Sequence, residues 1–161
     1  MPGIQIITIT GKQQAAYQQL VSRYTSKKGL KDVIAQDFNL YKKSVYGFTL
    51  GYQKKDQLCA ALTFSVSGNE LANQSVGEIS RMYIPQSVQI ATAGRRLLNA
   101  MLTIIKEDFP EIRWIILKTP INEPGFKRLY SGFGFIESEP SNSQLLNSSG
   151  LISMQISLIH A

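Results

Sequence analysis

Apolar and polar residues alternate along this chain with two distinct periods, and the switches between them divide it into elements. "IQIITIT" (4–10) alternates as a half-buried strand does, and Thr10 ends it where a helix N-cap is wanted. Ala16, Tyr17, Leu20, Val21 and Tyr24 then recur at the spacing of one helix face, and Leu30, Val33, Ile34, Phe38 and Tyr41 repeat the pattern more weakly. "VYGFTLGY" (45–52) and "QLCAALTFSV" (57–66) are β-branched, aromatic and aliphatic runs separated by Gln53-Lys54-Lys55-Asp56, which predicts a hairpin. "SVGEISRMYI" (75–84) supplies a third central strand and stops at Pro85, which cannot donate to a ladder.

From Val88 to Ile105 the period changes again, because Leu97, Leu98, Met101, Leu102 and Ile105 form one apolar helix face. "DFP" closes that helix. The next run, "IRWIILK" (112–118), is almost continuously apolar, as a strand buried on both faces would be. Strand, helix, strand makes a crossover unit with its second strand parallel to the first. A short helix around "EPGFKRLY", a strand "FGFIES", a polar loop from Glu139 to Gly150 and a last strand with Ile152, Met154, Ile156 and Leu158 on one face complete the chain. The order β-α-α-β-β-β-α-β-α-β-β predicts an α+β fold: a mixed, largely antiparallel central sheet with one parallel crossover pair.

Composition narrows the picture. With 161 residues, 43% of them hydrophobic, the chain suits a single domain over 1–161. A single cysteine, Cys59, excludes a disulfide framework within the chain and reads as a small buried hydrophobe. No cluster of His, Asp or Glu has metal-ligand spacing, so no metal is expected; His160 reads as a tail residue and Trp114 as core. No stretch approaches the roughly 18 apolar residues of a membrane helix, and no basic leader precedes an apolar run, so no membrane partner and a cytoplasmic location are expected. The net charge of +6 and pI near 9.5 favour an anionic partner. The pairs Lys27-Lys28, Lys42-Lys43, Lys54-Lys55 and Arg95-Arg96 are scattered, as on a solvated basic surface, and leave a ligand with several phosphates and nucleic acid both open, the latter resting on the charge alone.

One stretch carries candidate chemistry. In "QIATAGRRLL" the small residues Ala91, Thr92, Ala93 and Gly94 stand where the chain turns into a helix, followed by Arg95 and Arg96. The first amides of a helix lack partners and the helix dipole adds partial positive charge, so small residues there let a phosphate approach the backbone. The same residues would also let the helix lie close to the sheet while the arginines face water. The residues alone leave both readings open.

The element order and two motifs resemble the GNAT superfamily, the acyl-CoA-dependent N-acyltransferases. The family's pyrophosphate loop runs Gln or Arg, two residues, Gly, one residue, Gly or Ala, then a Leu-Leu helix. Gln89, Gly94 and Leu97-Leu98 match it, with Thr92 at the middle glycine. "RLYSGFGF" resembles the family's late helix, with Tyr130, Gly134 and Phe135 in register. Seven and four residues before that tyrosine the family often has Asn and Ala; here stand Glu123 and Phe126, with Asn122 one place early.

The resemblance implies an acetyltransferase that moves an acetyl group from acetyl-CoA to a primary amine of a small molecule or polypeptide. It places the acyl-CoA where "EISRMYI" and "IRWIILK" splay apart. Backbone groups of Met82, Tyr83 and Ile84 would meet the pantetheine and thioester, Gln89, Ile90, Ala91, Thr92, Ala93, Gly94 and Arg95 the pyrophosphate, and Asn122 the cofactor beside them. Tyr130 would be the general acid that reprotonates the thiolate and Glu78 the base that deprotonates the amine. Arg81, three residues after Glu78, points to the opposite face in a regular strand and to the same face if the strand is bulged.

Two further readings accompany this one. A GNAT-like acyl-CoA-binding or regulatory module without turnover would account for Thr92 and the altered Asn-Ala spacing. Glu78-Ile79-Ser80-Arg81 also resembles the central strand of acyl-homoserine lactone and acyl amino acid synthases. The acceptor side is expected from 22–38 and the loop 137–150, and a homodimer through the late strands is an arrangement the family allows.

Overall fold

The computed structural model describes residues 4–10, 13–24, 47–66, 76–85, 89–120, 124–137 and 151–158. The helix expected over Leu30–Tyr41, Asn122, Glu123, His160 and most of the two segments expected on the acceptor side lie outside them. Among the described residues seven strands form one sheet: β1 (Ile4–Thr8), β2 (Gly47–Lys54), β3 (Gln57–Val66), β4 (Val76–Tyr83), β5 (Trp114–Pro120), β6 (Ile136–Glu137) and β7 (Leu151–Ser157). Their order is β1-β2-β3-β4-β5-β7-β6, antiparallel throughout except for the parallel pair β4 and β5. Helix α1 (Gln14–Tyr24) packs on one face against β3 and β4, whereas α2 (Ile90–Asp108) and α3 (Pro124–Phe133) cover the other.

Two cores result. On the α2 and α3 face, Phe48, Leu50, Leu62, Phe64, Ile79, Ile115 and Leu117 from the sheet meet Leu97, Leu98, Met101 and Ile105 of α2 and Phe126 and Leu129 of α3. On the α1 face, Tyr17 and Leu20 bury against Ile9, Leu58, Ala61 and Tyr83, with the rings of Tyr17 and Tyr83 edge to face at 6.1 Å. Thr10 and Gln13 form a capping box ahead of α1, in which the Gln13 Oε1 accepts from the Thr10 amide at 2.8 Å and from its hydroxyl at 2.7 Å. Between β2 and β3, Lys55 and Asp56 both take positive φ (51° and 64°), the twist that a two-residue hairpin turn demands.

Two expectations from the sequence are corrected. β5 is buried on one face only: Ile115 and Leu117 are buried, while Ile116 is 38% exposed and Lys118 is exposed. Its continuous apolar run misleads because α2 and α3 cover one side and α1 lies over β3 and β4 instead. "FGFIES" contributes only Ile136–Glu137 as strand, since the residues before it terminate α3.

That termination explains the spacing of Tyr130, Gly134 and Phe135. The Phe135 amide donates to the Tyr130 carbonyl at 2.9 Å and the Gly134 amide to the Ser131 carbonyl at 3.1 Å, the two bonds of a Schellman stop. Gly134 has φ +119°, and the Tyr130 and Phe135 rings meet edge to face at 5.7 Å as the motif's apolar contact. A side chain at Gly134 would take a backbone conformation that L-residues avoid and would press on Ile156. Gly134→Ala should therefore lower stability by about 1–3 kcal/mol, read as a lower urea midpoint with unchanged slope.

Candidate functional site

The site begins with the ladder between β4 and β5. Four pairs join them, from Val76 with Trp114 to Ile79 with Leu117, and there the pairing ends. β4 continues through Ser80–Tyr83 on β3 alone, and β5 continues through Lys118–Pro120 on β7 alone. The two strands thus part at the carboxyl end of the sheet's only parallel pair among the described residues.

The parting coincides with a bulge. Opposite β4, Thr63 pairs with Arg81 and Phe64 with Ile79, so Ser80 is an extra residue. Cross-strand partners share a face, which puts Glu78 (opposite Ser65), Arg81 (opposite Thr63) and Tyr83 (opposite Ala61) together on the α1 side. Without the bulge Arg81 would point the other way. Its Nη1 donates to the Ser80 carbonyl at 2.7 Å, and Thr49 and Thr63, hydrogen-bonded to each other at 2.9 Å, form a buried polar floor on this side. Met82, paired with Leu62, faces the α2 and α3 side.

Above the gap stand two helix N-termini. A Cβ added to Gly125 would lie 3.2 Å from Ile90, and Gly94 packs directly on Leu129, so α2 and α3 run side by side in one direction. Each follows a strand of the parallel pair, which brings both starts to the end where β4 and β5 separate. In α2 the first helical bond is from the Ala93 amide to the Gln89 carbonyl at 3.0 Å, so the amides of Ile90, Ala91 and Thr92 precede it. Gln89 makes no side-chain cap, its Oε1 instead accepting from the Thr92 hydroxyl at 3.2 Å, and neither helix has an acidic residue in its first turn. Within the described first turns no carboxylate offsets the positive ends of the two dipoles.

Within "QIATAGRR", the helix begins at Ile90, so Ala91–Gly94 form its first turn. Ala91 and Thr92 are exposed, while Ala93 and Gly94 are buried. Gly94 admits Leu129, so its smallness serves the contact between α2 and α3 in the first place. The Arg95 guanidinium lies along α3 toward Gly132, 3.9 Å from where a Cβ there would sit. The close approach of α2 and α3 through Ile90, Gly94, Gly125 and Leu129 was missed in the sequence.

Tyr130 lies buried on α3, its ring stacked on Phe126 at 6.3 Å and edge to face with Phe135. Side chains on a helix lean toward its N-terminus, so Tyr130 leans toward the gap. Glu78, half-buried on β4, sits on the opposite face of the sheet. The arrangement brings Met82, Tyr83, Ile84 and the start of α2 to one end of the sheet, with Tyr130 approaching from one face and Glu78 from the other. A separate groove of about 800 Å³ lies between α1 and the β2–β3 turn, lined by Ala15, Ala16, Gln18 and Gln19 of α1 and by Asp56–Leu58. None of its lining residues belongs to β4, β5, α2 or α3, and Asp56 is the one carboxylate among them. Among the described residues no three His, Cys, Asp or Glu side chains come together as metal ligands, and no helix is long and apolar enough to cross a membrane.

No family model and no curated protein matches the chain. Solved structures do. PaiA N-acetyltransferase from Thermoplasma acidophilum in complex with coenzyme A is 13% identical and superposes with a TM-score of 0.73 over 96% of this chain and 98% of its own. YncA from Salmonella typhimurium, solved with its cofactor acetyl-CoA, gives 0.76 at 13% identity over 99% and 96%. A GNAT family acetyltransferase from Elizabethkingia anophelis with acetyl-CoA bound gives 0.68 at 15% identity over 98% and 100%. A likeness that runs from end to end of the chain shows the fold: this protein has the GNAT fold.

Proposed function

We propose that the protein is an N-acetyltransferase that uses acetyl-CoA as donor and a primary amine as acceptor. The observation that carries this reading is the coincidence at one end of the sheet of an opened β4–β5 ladder and the uncapped start of α2. Structures of the same fold with CoA or acetyl-CoA bound support it.

The residues fit such a donor. The amides of Ile90, Ala91 and Thr92, the last two at exposed small positions, suit a pyrophosphate, with Gln89 beside them; Ala93 and Gly94 keep α2 against α3. The parted edges of β4 and β5 suit an extended arm, with Met82, Tyr83 and Ile84 lining one edge. Asn122 and Arg95 belong to the same reading, on the family resemblance. The donor supplies an activated acetyl thioester.

The protein's share is proton management on the two sides of the sheet. Glu78, on the α1 face, takes a proton from the incoming ammonium so that the amine can attack. Backbone amides at the edge of the gap stabilise the charge that develops on the carbonyl oxygen. Tyr130, on the α2 and α3 face, returns a proton to the leaving sulfur; a phenol near pKa 10 can serve a thiol near 8.5 without being ionised at neutral pH. Base and acid on opposite faces suit attack from one side and departure on the other.

Three outcomes test this. Acetyl-CoA at about 100 times its Kd should raise stability by roughly 2.7 kcal/mol in a thermal melt, CoA should do likewise, and ATP should not. Ala91→Glu should keep or slightly raise the melting temperature of the free protein, because a carboxylate in the first turn favours the helix by about 0.3–1 kcal/mol, while CoA affinity falls at least about tenfold. Equal CoA affinity in that variant would remove the start of α2 from the phosphate role. Tyr130→Phe should lower turnover on an accepted amine by about 10²-fold with CoA affinity little changed, and unaltered turnover would remove Tyr130 from the acid role.

A further inference from the structure

On the α1 face of the sheet, the register of β4 and β5 brings three charged residues to the opening. Glu78 pairs with Ile116, and cross-strand partners share a face, so Ile116 and, two residues on, Lys118 lie on the same side as Glu78. The burial agrees: Ile115 and Leu117 are buried in the opposite core, while Ile116 and Lys118 are exposed. The bulge at Ser80 puts Arg81 on this side as well. Arg81 is thus the next residue after Glu78 on this face of β4, and Lys118 the next after Ile116 on β5. The two stand one on each strand, just beyond the last pair between them.

The setting of both cations is polar. Arg81 stands opposite Thr63, itself bonded to Thr49, and Lys118 stands opposite Ser153 of β7. The Arg81 Nη1 donates to the Ser80 carbonyl at 2.7 Å, which keeps the guanidinium beside the bulge where β4 leaves β5. Among the described strand residues on this face at the opening, Glu78 is the one carboxylate, with positive charge beyond it on both strands. An acceptor with a second ammonium near its amine would meet that charge unfavourably; one with an anion near its amine would meet it favourably. Side chains two apart on one face of a strand are separated by roughly 7 Å. An ammonium and a carboxylate on one carbon atom cross that span with a hydrogen bond of about 2.8 Å at each end.

We propose that the acceptor is an α-amino acid, its ammonium meeting Glu78 and its carboxylate meeting Arg81 on β4 and Lys118 on β5. This rests on the acetyltransferase reading and names the class of amine, which that reading leaves open. The guanidinium fork suits a carboxylate in two parallel bonds, and the lysine adds a point charge from the other strand. In the transfer an N–C bond forms and the C–S bond breaks. Of the two protons the ammonium loses, one passes by way of Glu78 to water and the other replaces the one Tyr130 gives to sulfur. The carboxylate is unchanged, and the product is an N-acetyl amino acid.

The test measures kcat/KM with acetyl-CoA as donor for a panel of L-amino acids, their α-amides and aliphatic diamines. The α-amide lacks the carboxylate while its amine sheds a proton more readily, so reactivity alone would favour the amide. Wild type should favour the best amino acid over its amide by about tenfold or more. Arg81→Gln should bring that ratio to within about threefold of unity, and Lys118→Gln, at an exposed position, should lower it about threefold, both through KM for the acid. Equal or better use of amides and diamines by wild type, or an undiminished ratio in either variant, would overturn the carboxylate contact and leave acetyl transfer standing. No acetylation across the panel by a protein that acetyl-CoA stabilises against heat would overturn this inference alone. A protein that acetyl-CoA does not stabilise would overturn the acetyltransferase reading, and this inference with it.

Discussion

The end of the β4–β5 ladder at Ile79 and Leu117 is the constraint on which the rest of the site depends. A parallel pair that ran to the ends of both strands would close the sheet and leave no room between them. Here the pair is only four residues long, and the extra residue Ser80 turns β4 just past the last pair. Bulges increase local twist and bend the strand that carries them, so one inserted residue both opens the sheet and resets which side chains face which way. It brings Arg81 to the side of Glu78 and sends Met82 toward α2 and α3. Because each strand of this pair is followed by a helix, the same topology stacks two helix starts over the opening.

Several residues that mark the family resemblance serve the fold before any chemistry. Gly94 is where Leu129 enters α2, and Gly134 is the left-handed stop of α3. Tyr130 is held by Phe126 and Phe135, one of them the apolar contact that accompanies the stop. A ring fixed in that way loses little freedom when its hydroxyl is used, which is the kind of support a proton donor needs. The same economy applies to the start of α2: Ala91 and Thr92 remain exposed and small, while their neighbours Ala93 and Gly94 secure the helix.

Much of this was legible in the sequence, and for identifiable reasons. "QLCAALTFSV" reads as strand from its run of β-branched, aromatic and aliphatic residues, and the structure places β3 over those same ten residues. Thr10 reads as the N-cap of α1, where the structure shows it bonded to Gln13, and the strand–helix–strand of β4, α2 and β5 carries its parallel pairing in its connectivity. The reading of β5 as doubly buried went astray because an apolar run does not say which face a helix covers, and Ile116 is left open. Lys118 could not be singled out at all. A lysine near a strand end is ordinary in sequence, and only the register of β4 on β5 reveals that it stands across the opening from Arg81.

The most direct test of the account is where a CoA molecule touches the backbone, followed by amide resonances of isotopically labelled protein during titration. Binding in the gap predicts that the amides of Ile90, Ala91 and Thr92 and those of Ser80–Tyr83 shift together and saturate at one affinity, while those of β1 and β6 stay in place. Shifts gathered instead around Gln18, Gln19 and Asp56–Leu58, in the groove beside α1, would contradict it, as would a titration that moves no resonance.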